Sequence, residues 1–220
     1  MPENSLFSLY TEEAEVALFD PAHDLWAQCN PATIDRFWDG KSALQDRGLS
    51  WPNLTHVRSL WSGEALFFYF ESWFDSLDVD SSWDTKEAVE NLSDKDVVEA
   101  FLRPEGAGHY YEFEVSPLGQ WLDARILKPR VNVDFHWHSN LMVKANVDEG
   151  EGIWRAFLGV PYEPMRVPVP EVGTAWRLNL FRVAGQGPDR EYLAWRPTFT
   201  EHPDFHAPWA FGHLIFLGGV

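Results

Sequence analysis

The sequence predicts an all-β fold, a single antiparallel β-sandwich with long connecting loops. Short runs rich in aromatic and β-branched residues alternate with period 2, and clusters of Gly, Pro, Asn and Asp separate them. No stretch sustains a helical period long enough for a packed helix. No internal repeat or composition break marks a linker, and sandwiches commonly reach 220 residues as one unit.

Taken in order, residues 1–24 are acidic and weakly patterned, which predicts an N-terminal arm or edge strand, with the sandwich over 25–220. Residues 25–39 hold Trp26, Ile34, Phe37 and Trp38 around Pro31 and read as a short helical turn leading into a strand. Trp51-Pro52-Asn53 is a turn signal. THVRSLW (55–61) and ALFFYFESW (65–73), joined at Ser62-Gly63-Glu64, form a hairpin. Residues 74–96 are strongly acidic around Trp83 and read as a long functional loop.

The central hairpin follows. VVEAFL (97–102) is apolar except for Glu99, which shares a strand face with Val97 and Phe101. Residues 103–109, with Pro104, Gly106 and Gly108, turn the chain back. The return strand sets Tyr111, Phe113 and Val115 on one face, and Glu112 and Glu114 on the other, read as solvated. Pro117 and Gly119 end it. Residues 120–128 continue the sheet, and residues 132–138 (NVDFHWH) alternate briefly. Residues 141–147 and 152–160 form a further pair, and the proline-rich 162–172 crosses the surface. AWRLNLFRVA (175–184), 191–196 and FGHLIFL (211–217) are the last strands, with a loop at 197–208.

Composition narrows the function. Seventeen basic against 34 acidic residues give a net charge of −17, which repels nucleic acid and anionic membranes and leaves neutral or cationic partners. Cys29 is the only cysteine, so neither an intrachain disulfide nor a cysteine zinc cluster forms. The first residues lack the basic and apolar regions of a secretory signal, and no apolar run has the length of a membrane span. Cytoplasmic location is the default expectation from that pattern.

Three chemistries are weighed. Asp96, Glu99, Glu112 and Glu114 contain the carboxylates of a hydrolase pair. His136 with His138, and His202 with His206, are spaced for a metal, and residues 75–84 could hold calcium, yet no HExxH or EF-hand pattern occurs. Aromatics beside hydrogen-bonding groups are the stronger signal. A sugar ring offers an apolar face that stacks on aromatic rings and hydroxyls that planar charged groups bind in pairs. Trp83, Trp195, Phe205 and Trp209 lie in or beside loops, near Asp94, Glu99, Arg177, Asn179, Arg182 and His202 in the expected packing.

VVEAFLRPEGAGHYYEFEVSPLG closely resembles the central hairpin of family 9 carbohydrate-binding modules and their stand-alone bacterial relatives. THVRSLWSGEALFFYFES, GIWRAFLGVPYEPM, TAWRLNLFRV, AWRPTF and FHAPWAFGHLIF resemble further family segments in the same order, covering nearly the whole chain from Trp26. The resemblance implies a β-sandwich that binds sugars without catalysis, often at chain ends between two aromatics, and an extracytoplasmic setting. Some members carry structural calcium. By position, Glu99 matches a hydroxyl-binding carboxylate, Phe205 one clamping aromatic, and Arg182 an arginine of the stand-alone relatives. Ser93 stands where the second clamping aromatic is expected, which leaves Trp83 to substitute or the clamp absent, and Phe181 replaces a glutamine of sugar-binding members.

The resulting expectation is a non-enzymatic binder of a neutral mono- or oligosaccharide, with a site at Trp83, Glu99, Arg182, Trp195 and Phe205. The alternatives are a haem-binding module of the related DOMON type, using Met142 or Met165 with a histidine, and a small hydrolase built on the Glu99 acidic cluster.

Overall fold

Strands form where the alternation places them, because nearly every run is apolar on at least one face. The computed structural model describes residues 4–13, 15–44 and 53–219. Its strands are β1 (Ser5–Tyr10), β2 (Ala32–Ile34), β3 (Arg36–Phe37), β4 (Thr55–Trp61), β5 (Ala65–Trp73), β6 (Val97–Arg103) and β7 (Tyr110–Val115). They continue with β8 (Trp121–Lys128), β9 (Asn132–Asp134), β10 (Met142–Asp148), β11 (Ile153–Pro161), β12 (Ala175–Ala184), β13 (Glu191–Ala194) and β14 (Gly212–Leu217). The helices are single turns or little more: α1 (Glu15–Leu18), α2 (Asp24–Gln28) and α3 (Tyr162–Met165). The turn expected at Trp51-Pro52-Asn53 lies largely outside the described residues.

One hydrogen-bonded path runs β10-β11-β5-β4-β1-β14-β12-β6-β7-β8-β9, with β2, β3 and β13 attached beside it. Among the described residues the ladders are antiparallel except the two made by β1, which lies parallel to both β4 and β14. The sheet is therefore mixed. The expected N-terminal arm or edge strand is instead an interior strand, because the apolar Leu6 and the hydroxyl of Ser8 both find buried partners.

The path folds on itself into two layers. Phe68 and Phe70 of β5 and Trp154, Ala156 and Leu158 of β11 meet Val98, Ala100 and Leu102 of β6, Phe113 of β7 and Leu178 and Leu180 of β12 in one core. Each layer is also covered outside. Leu18, Trp26 and Cys29 pack over Phe67, Tyr69 and Phe157 on one side. On the other, Leu92 and Phe205 from the long loops cover Val97, Phe101, Leu122, Phe181 and Val183. This second cover overturns the expectation of a solvated face on β7: Glu112 and Glu114 are 7% and 1% exposed.

Arg182 joins the layers. It is fully buried on the inner face of β12, where it donates to the carbonyls of Asn53 (3.2 Å) and Trp73 (2.8 Å) and to Thr55 Oγ1 (3.1 Å). Its guanidinium also lies 5.8 Å from the Trp154 ring. Burial lowers its pKa to about 10, while Asp96 and Glu191 favour its charge. Truncating such a group leaves several buried acceptors unpaired. Arg182→Ala is expected to lower unfolding stability by about 3–5 kcal/mol in chemical denaturation.

Asp96 anchors the end of the acidic loop, accepting from the Gly185 amide at 2.7 Å through Oδ1 while Oδ2 has no partner. Burial raises its pKa from 3.8 to about 6, with Arg182 pulling the other way. A raised native value favours the protonated native state, so this contribution is full below the unfolded value and is lost as pH rises through about 6. Relative to wild type, Asp96→Asn should therefore gain thermal stability between about pH 4 and 7 and keep a constant difference above that.

Candidate functional site

The outer face of β12, β6 and β7 carries a row of side chains set by register. Phe181 lies opposite Glu99, and Glu99 lies opposite Glu114. Glu112, two residues earlier on β7, lies opposite Phe101. One carboxylate oxygen from each of Glu99, Glu112 and Glu114 lies within 4.8 Å of the other two. All three side chains are buried, and Glu99 Oε1 and Glu114 Oε2 have no hydrogen-bond partner.

Loops close over this row. The end of the acidic loop brings Ser93 and Asp94, held by Arg190, which donates to both backbone carbonyls and to Asp78 Oδ2 (3.2 Å). The loop before β14 brings Phe205 and His206, whose amide donates to Asp204 Oδ1 at 2.9 Å. Arg130, from the β8–β9 turn, pairs with Asp204 at the rim, donating through Nε at 3.1 Å. Ser93, Asp94, Arg130, Arg190, Phe205 and His206, with Glu99, Glu112, Phe101 and Tyr192, line a half-open pocket of about 190 Å³.

Its electrostatics follow from burial. Glu99 is pushed well above the usual carboxylate range by burial and then by Glu112, with Arg130 opposing. Burial raises Glu112 to about 7, against a hydrogen bond from Glu114 and the charge of Arg130. Burial, Glu99 and Glu112 all raise Glu114. His206 contacts the Tyr110 hydroxyl through Nδ1 (2.7 Å) and approaches Glu112 with Nε2 (3.9 Å). Burial and then Arg130 lower its pKa to about 4, so near neutral pH it offers the triad no compensating charge.

Two of the five residues expected at the site, Glu99 and Phe205, line this pocket. Phe205 stacks on Phe181 at 4.1 Å between ring centroids and 9° between planes, so one of its faces is taken. Arg182 is not there: strand alternation turns it to the inner face. Trp195 packs in the inner core and against Gly212, lining a separate cleft with Pro31 and Arg36. Trp83 is half-buried over the outer cluster and does not line the pocket. Ser93 does, so the place expected for a second aromatic carries a hydroxyl.

The other candidate groups separate. Met165 belongs to the inner core, whereas Met142 packs outside the opposite layer. His136 is exposed, and His138 lies 3.4 Å from Asp123. Among the described residues the glutamate triad is the one group of three or more side chains spaced to share a metal ion, and no histidine belongs to it. Glu112 and Glu114 were visible in the sequence but read as solvated. Tyr192, Arg130 and His206 come from distant segments, and nothing local marks them as neighbours of Glu99.

Comparison with known proteins agrees with this architecture. Residues 81–216 match the model of carbohydrate-binding family 9. No curated protein matches the sequence. Among solved structures, a candidate carbohydrate-binding protein of Bacteroides uniformis superposes with a TM-score of 0.72 at 18% identity, covering 97% of this chain and 99% of its own. A family 9 module of Caldicellulosiruptor kristjanssonii in complex with glucose gives 0.67 at 14% identity, covering 98% and 97%. The cellotriose complex of a family 9 module from the same organism gives 0.64 at 12%, covering 98% and 95%. The matched segment contains the central hairpin, β12 and the loop bearing Phe205, and the chain belongs to carbohydrate-binding family 9.

Proposed function

We propose that the protein is a non-catalytic carbohydrate-binding protein that takes one sugar ring, a monosaccharide or a chain end, in the pocket above Glu99. The observation that carries this reading is a small half-open pocket with buried carboxylates at its base and Phe205 and Tyr192 at its side. A neutral sugar offers hydroxyl donors to those acceptors and an apolar face to the rings. Family 9 modules of the same fold are seen with glucose and cellotriose, which supports this class of ligand. The pocket of about 190 Å³ suits one ring.

The carboxylate spacing also favours binding over hydrolysis. A glycosidase sets its two carboxyl groups on opposite sides of the scissile bond, about 5–5.5 Å apart for retention and more for inversion. Here Glu99, Glu112 and Glu114 stand on one face of the β6–β7 sheet, with only Glu99 and Glu112 lining the pocket, rather than on two facing walls.

Calorimetric titration with glucose and cello-oligosaccharides, preceded by a glycan array, tests the reading. Glu99→Gln exchanges a carboxyl oxygen for an amide group and should weaken binding about 10- to 100-fold. Phe205→Leu should weaken it about tenfold, and Trp195→Phe, in the separate cleft, should leave it unchanged. Equal affinities for wild type, Glu99→Gln and Phe205→Leu would place the ligand elsewhere.

A further inference from the structure

We propose that Glu99, Glu112 and Glu114 bind one divalent cation of the calcium class at the base of the pocket. The three strand positions converge one oxygen each within 4.8 Å, a spread that one ion with oxygen bonds of about 2.3–2.6 Å spans. The second observation is the orphaned pair of atoms. Glu99 Oε1 and Glu114 Oε2 are buried without any donor, on side chains 2% and 1% exposed. Buried carboxylate oxygens find a partner in nearly every folded protein.

Ser93 and Glu112 reach the Glu114 carboxyl, but neither they nor any other described side chain donates to those two oxygens. Arg130, the near cation, is engaged with Asp204 at the rim, and His206 points its Nδ1 at Tyr110. Hard carboxylate oxygens with no nitrogen or sulfur among them select a hard ion, and strand-borne ligands are held rigidly. Three carboxylates against a divalent ion leave one negative charge, a smaller load on a buried face than three uncompensated carboxylates. Because Glu99 and Glu112 also line the pocket, the ion presents its remaining coordination positions toward the space where a ligand sits. The cation binds whether or not a sugar is present, so this inference stands apart from the carbohydrate reading.

The test uses the whole chain, stripped of metal with a chelator and titrated calorimetrically with calcium chloride in the absence of sugar. Saturable binding of one ion per chain is expected, with a rise in thermal midpoint on the order of 5–10 °C at about a hundredfold excess over Kd. Glu114→Gln keeps the shape and removes one ionisable carboxyl from the crowded row. It should melt higher than wild type in chelator and lose the calcium response, with Glu99→Gln as the independent second variant. Terbium luminescence sensitised by the nearby Tyr110 and Tyr192 and quenched by added calcium gives a readout on wild type alone. The proposal is overturned by no binding at millimolar calcium, or by an equal response to sodium at matched ionic strength. It is overturned equally if calcium binding is undiminished in both variants, which would place the ion in the acidic 75–96 segment. A chain that binds calcium but no glycan upholds the cation site and refutes the sugar reading, and the converse result does the opposite.

Discussion

The architecture depends on what β12 does with its two faces. One residue, Arg182, reaches inward and bonds the opposite layer, and its neighbour Phe181 reaches outward and stacks under Phe205. Strand alternation makes these roles inseparable, since a one-residue slip would bury Phe181 between the layers and put Arg182 into the pocket. The cost of holding a guanidinium in the core is offset by the carbonyls of Asn53 and Trp73, the Thr55 hydroxyl and the ring of Trp154. The register of β12 fixes that of β6, and β6 in turn fixes β7, so the layer-joining arginine indirectly aligns Glu99 with Glu114.

The pocket shows how a module can keep its frame while its lining changes. Phe181 occupies the outer face opposite Glu99, and its stack with Phe205 fills volume that a polar side chain would leave to ligand. Ser93 gives back some space and a hydroxyl on the facing wall. The same loops that supply lining groups are pinned by ion pairs, Arg190 and Lys95 to Asp78 on one side and Arg130 to Asp204 on the other. An acidic surface with few basic residues thus spends several of them on fixing loops at the mouth.

Most of the fold was legible because alternation and turn chemistry agree along the chain. The central hairpin was anticipated to within a residue at most ends, with Gly106 and Gly119 at positive φ in the turns that follow β6 and β7. The site was half legible. Glu99 and Phe205, placed by the order of the family segments, both line the candidate pocket. Arg182 was assigned by its place in the family segments and Trp195 as an aromatic beside a loop, yet strand alternation turns Arg182 inward and Trp195, just past β13, packs in the inner core. The burial of Glu112 and Glu114 was hidden because alternation says which residues share a face, whereas coverage of that face comes from loops far away in sequence.

The position of β1 has a consequence for how the chain acquires its shape. Residues 5–9 pair with residues 213–217, so the strand that bridges the two layers takes one of its partners from the far end of the molecule. The hairpins β4–β5, β6–β7 and β10–β11 can each form from neighbouring sequence, but they cannot be joined into one sheet until β14 has left the ribosome. During synthesis the strand edges that β1 and β14 join stay unpaired until β14 emerges, the interval in which a β-rich protein is most open to association with its own copies. For this fold, completion is governed by the meeting of β1 with β14.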